Sequence, residues 1–183
     1  MDSRKYRLIV WGLGCVFMAY VFALLPDAFY EPSRVPKLNG PLWLIHLIFL
    51  YIHEAGHAIF KPFGSTMYFL GGSILQVLAP AVWIAVAARE RSRLTVPAVF
   101  FTGYSIVDVS VYVKDAESRV LPLIGGKSTL HDWWTVLSRH DALDLALPLG
   151  ETMFWVGILT SAGAIVWAVY LAVRDFQEVP AAD

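Results

Sequence analysis

Residues 41–60 read PLWLIHLIFLYIHEAGHAIF, and this stretch decides the fold. It is long enough for a helix to cross the roughly 30 Å hydrocarbon core of a bilayer. It contains no Lys or Arg, and its one acid is Glu54. That acid falls inside His53-Glu54-Ala55-Gly56-His57. On a helix, two histidines four positions apart stand one turn apart on the same face, the spacing that holds one zinc ion. The glutamate beside them is placed as a general base. Ionisable side chains inside a membrane span are costly, so their presence there points to function.

The rest of the chain agrees with a membrane setting. Of its 183 residues 57% are hydrophobic and 16% charged, against about 25% charged in an ordinary soluble domain. The formal net charge is −1, and no basic run or aromatic–basic platform suggests a nucleic-acid partner. Cys15 stands alone in an apolar run, which excludes an internal disulfide. Five segments are apolar enough to span: 8–25, 41–60, 70–88, 94–113 and 153–173. The alternation of a membrane β-strand is missing from them. The expected architecture is therefore all-α, one integral membrane bundle of about five transmembrane helices over 1–183.

Arg4, Lys5 and Arg7 precede the first span, which predicts a cytoplasmic N-terminus. Simple alternation then sends span one outward, span two inward, span three outward and span four inward. His53 and His57 would fall in the cytoplasmic half of span two. The basic turn holding Arg89, Arg91 and Arg93 would lie outside, against the same rule. Asn39-Gly40-Pro41 reads as a turn that starts the second span. In the segment 114–150, Trp133, Trp134 and Leu137, with Leu143, Leu145 and Leu147, predict a short interfacial helix.

A catalytic zinc site takes three protein ligands and leaves one position open for water. The metal brings bound water to a pKa of about 7, and a carboxylate, here Glu54, takes its proton. His53 and His57 supply two ligands. The candidates for the third are Asp115, Asp108, His131 and Asp132. Asp108, Tyr112 and Asp115 share one helical face. A His131-Asp132 pair folded over the site is another source of a ligand, or of a carboxylate that orients a ligating imidazole. His46, two turns before His53 on the same face, reads as a hydrogen-bonded packing residue. His140 reads as a surface residue. Gly71 and Gly72 read first as a close helix contact.

With these residues in view, the chain resembles the site-2 protease class of intramembrane zinc metalloproteases, the M50-like group. The His-Glu-x-x-His motif carries most of the resemblance. Gly71-Gly72-Ser73 with Gln76 is similar to the small-residue motif that follows the zinc helix in that class. There, an Asp before a small residue on a later span gives the third ligand, and Asp115-Ala116 is the matching pair here. The fuller Asn-x-x-Pro-x-x-x-Leu-Asp-Gly form is absent from the chain. The resemblance implies a zinc cofactor, a lipid-bilayer setting and cleavage of a transmembrane protein or peptide substrate by a metal-activated water. It implies His53, His57 and Asp115 as ligands and Glu54 as the catalytic residue. The expected location is the plasma membrane of a prokaryote. A metal-binding membrane protein without protease activity, a sensor or an assembly factor, is the alternative.

Overall fold

A computed structural model describes residues 3–31, 38, 40–122 and 130–177, with the side chains of 3–5 and 7 left out. Asn39 therefore lies outside the described residues, as do the side chains of Arg4, Lys5 and Arg7. Among the described residues six α-helices follow one another: α1 Ser3–Phe29, α2 Gly40–Phe60, α3 Ser65–Arg89, α4 Thr95–Lys114, α5 Asp132–Arg139 and α6 Ala146–Gln177. Short 3₁₀ turns, Lys61–Phe63 and Leu143–Leu145, lead into α3 and α6. All helices but α5 are long and apolar enough to cross a membrane. The helices run past the expected spans because their flanking turns are helical too. The expected interfacial helix is α5 alone: Leu143 and Leu145 belong to the following turn, and Leu147 to α6.

The helix α4 is the axis of the bundle. Two thirds of its apolar window is buried (67%), against 17–33% for the other four. Phe100, Tyr104, Val107 and Val111 of α4 pack with Val21, Leu25 and Phe29 of α1, Leu42 and Phe49 of α2, and Phe154 of α6. Large apolar side chains on the outer faces of the other long helices stay exposed, such as Leu13, Tyr51, Val82 and Leu159. A bilayer covers such surface; water would not.

Small residues set two close crossings. A Cβ at Gly157 would meet the Gly103 carbonyl oxygen at 2.6 Å, so α4 and α6 approach through glycine on both sides. A Cβ at Gly56 would meet the Gly71 carbonyl oxygen at 2.2 Å, so α2 and α3 do the same. The close-contact reading of Gly71 and Gly72 fits this: both lie inside α3.

Helix direction departs from simple alternation. At one end, Arg93 before α4 forks onto Asp175 near the end of α6 and lies 5.8 Å from the Trp11 ring near the start of α1. At the other end, Lys114 closes α4, donates to the Tyr30 carbonyl just past α1, and packs on Phe154 early in α6. So α1 and α4 run the same way, and α6 runs opposite to both. The connection from α2 to α3 sits at the Lys114 end, where Ser65 meets Arg139 of α5. Thus α1, α2 and α4 all finish at that end. The basic turn at 89–93 lies with the start of α1, not across the membrane from it. His53 and His57 lie toward the opposite end, which corrects the expectation that they share the side of the N-terminus.

Candidate metal centre

The site forms where the last turns of α2, the first half of α3, the last half of α4 and the start of α5 converge. A cavity of about 460 Å³ opens there, and its lining includes His53, Glu54, His57, Asp132, Asp108 and Tyr112.

Helical spacing puts His53 and His57 side by side, with ring centroids 4.9 Å apart. Their outer nitrogens are both occupied. His53 Nδ1 donates to Gln76 Oε1 of α3 at 2.9 Å, and His57 Nδ1 donates to the Tyr68 carbonyl at 2.8 Å. This leaves both Nε2 atoms facing inward. Asp132, the first residue of α5, brings Oδ2 to 3.2 Å from His53 Nε2 and 3.3 Å from His57 Nε2. Gly72 makes room for this, because a Cβ there would sit 2.4 Å from His53 Nε2.

A carboxylate oxygen this close to two imidazole nitrogens needs an imidazole proton, or a cation, between them. Protons on both imidazoles would put two cations side by side, which is unfavourable in a half-buried site. A single divalent ion between the three atoms is the alternative to imidazole protons. Ligand atoms around tetrahedral zinc with bonds of 2.0–2.1 Å stand about 3.3–3.4 Å apart, close to the two separations seen here. His53, His57 and Asp132 are the group among the described residues whose ligand atoms could hold a metal ion. Burial alone would raise the Asp132 carboxyl pKa, but the contacts from His53 and His57 outweigh it and hold it below the usual range. The group is an anion at neutral pH.

The other candidates sit elsewhere. Asp115 is fully buried, and its carboxylate accepts from Ser118 Oγ at 2.6 Å, Val120 N at 2.9 Å and Leu121 N at 3.0 Å. It does not join His53 and His57. Burial would raise its pKa; the contacts from His131, Ser118 and the two backbone amides hold it below the usual range instead. His131 caps α5: its Nδ1 accepts from Trp134 N at 3.2 Å, and its Nε2 lies 3.3 Å from Asp115 Oδ2. Asp115 thus lies one step back, beside the cap that presents Asp132. Trp133 Nε1 donates to Ser73 Oγ at 3.1 Å, which ties α5 to α3. Asp108 is buried between His46 Nδ1 at 2.8 Å and Gln76 Nε2 at 2.7 Å. His46 is a hydrogen-bonded packing histidine and His140 is exposed. Glu54 follows His53 in α2 and lines the cavity.

Tyr68 was not among the sequence candidates. It contributes a backbone carbonyl, which no side-chain pattern signals. Comparisons with protein-family models, with curated proteins and with solved structures find no significant match.

Proposed function

We propose that this protein is a zinc-dependent intramembrane endopeptidase of the site-2 protease type, acting on peptide segments embedded in the bilayer. The observation that carries this reading is the approach of three possible ligand atoms to within 4.8 Å of one another, beside Glu54 and on the wall of a cavity. His53, His57 and Asp132 are nitrogen and oxygen donors of the kinds zinc takes, close enough together to hold one ion. Zinc bound there supplies Lewis acidity, enough to bring the pKa of water from 15.7 to about 7.

The chain's own residues do the rest. Glu54 accepts a proton from the attacking water and returns it to the leaving amide nitrogen, a general-base and then general-acid role. Gln76 and the Tyr68 carbonyl hold the two imidazoles in the tautomer that leaves Nε2 free. Leu50, Phe69 and Leu130 give the cavity apolar walls suited to side chains of a membrane segment. With the first helix oriented by Arg4, Lys5 and Arg7, the site faces the side opposite the cytoplasm.

The test is purified protein in detergent with a transmembrane peptide substrate. Wild type should hold one zinc and cleave; Glu54→Gln should hold zinc and lose about 10²–10⁴-fold in rate. His57→Ala should lose both. Zinc binding without cleavage of any membrane substrate would sink the protease reading and favour a metal sensor.

A further inference from the structure

Asp108 is an ionisable group at the centre of a membrane bundle, 1% exposed and outside the proposed ligand set. Such a group is costly and needs a reason. Both its oxygens are engaged: Oδ1 by His46 Nδ1 at 2.8 Å, and Oδ2 by Gln76 Nε2 at 2.7 Å. Gln76 is itself 4% exposed, and its Oε1 takes the His53 Nδ1 proton at 2.9 Å. The chain of bonds has a direction. Asp108 Oδ2 accepts from the amide nitrogen of Gln76, and that bond fixes which end of the amide faces Asp108. The amide oxygen is then turned to His53, which must donate through Nδ1. His53 Nε2 is left with its lone pair toward His57 and Asp132.

We propose that Asp108, acting through Gln76, is a positioning residue that sets the tautomer and ring orientation of His53 for metal binding. The proposal rests on the reading of His53, His57 and Asp132 as a metal site. A side-chain amide alone has no preferred direction, because either end can meet an imidazole. The buried Asp108 carboxylate, accepting from His46 at one oxygen and from the Gln76 nitrogen at the other, removes that freedom. With the charge gone, Gln76 can turn its nitrogen to His53, and the ring proton moves to Nε2, where a ligand lone pair is needed. Carboxylates that orient ligating histidines usually touch them directly; here an amide stands between.

The polarity of the network gives a test that a merely structural role would not pass. Asp108→Asn removes the fixed direction, and Gln76→Glu sets two carboxylates against each other. The double variant Gln76→Glu/Asp108→Asn restores every bond. Its new carboxylate at position 76 accepts from His53, while its new amide at position 108 donates to that carboxylate and accepts from His46. Cobalt affinity is measured by absorption titration of the full chain in detergent, with melting of the metal-free protein alongside. Imidazole ¹⁵N NMR of the metal-free protein reads the His53 tautomer. We expect Asp108→Asn to weaken cobalt binding by about 10–100-fold and to mix the tautomers, and the double variant to recover both. The proposal is overturned if Asp108→Asn binds cobalt like wild type, or if a stably folded double variant binds no better than the weaker single one. A single variant that fails to fold leaves the double variant and the wild-type tautomer to decide. A wild-type protein that binds no cobalt removes the metal site itself, and this proposal with it.

Discussion

At the scale of single residues, chemistry follows from which lone pairs are left free. His53 and His57 each give one nitrogen to the scaffold and keep the other for the site. Asp132 and Asp115, both acids in reach of α5, then separate into two jobs. Asp132 faces the imidazoles, and Asp115 is consumed by Ser118, Val120, Leu121 and His131. Asp132→Asn should lower zinc affinity by at least about tenfold, with little change in the melting temperature of the metal-free protein. The reverse ordering holds for Asp115→Asn. Its carboxylate accepts buried bonds, and weakening them costs about 1–3 kcal/mol of stability. The pH dependence has a definite sign. The Asp115 pKa is lower folded than unfolded, so its stabilisation is present above the usual carboxylate value near 4 and fades as pH falls below it. Melting temperatures of wild type and Asp115→Asn should therefore differ at neutral pH and converge in acid. A constant gap down to the lowest accessible pH would contradict this role.

At the scale of elements, the site depends on how closely α2 lies on α3. Gly56 and Gly71 bring the two backbones into contact, and Gly72 leaves space for the His53 ring. Without those glycines the acceptors on α3 would stand too far out to hold the imidazoles. Gly56→Ala forces a Cβ to within 2.2 Å of the Gly71 carbonyl oxygen, so the helices must separate. Overpacking of this kind costs about 1–3 kcal/mol, and zinc affinity should fall with it. Gly163→Ala, on α6 with open space around it, should change neither. Equal zinc affinity and melting temperature in wild type and Gly56→Ala would refute the crossing as a determinant of the site. The short helix α5 brings Asp132 to the candidate site and is itself held by Trp133 on Ser73 and Arg139 on Ser65.

At the scale of the whole molecule, the bundle puts the two basic clusters at one end and the candidate site toward the other. Arg93, bonded to Asp175 and close to Trp11, ties the start of α1 to the end of α6. Cysteines placed at positions 91 and 139, in a background with Cys15 replaced, should label from opposite sides of sealed vesicles. Labelling of both from one side would remove the proposed sidedness of the site.

The sequence alone determined the membrane class, the helical architecture and the pair His53 and His57 with Glu54 between them. Each of these follows from local rules: the length of an apolar run and the 3.6-residue period of a helix. The expectations of Asp115 in the ligand set, and of alternating helix directions, concerned relations between distant segments. Only the tertiary structure decided those. It brought Asp132 into contact range through the cap on α5, and it joined Gln76 and Asp108 into one network with His46. Those placements depend on which helices cross at glycine and which way each one runs, and neither is written in the spacing of any single segment.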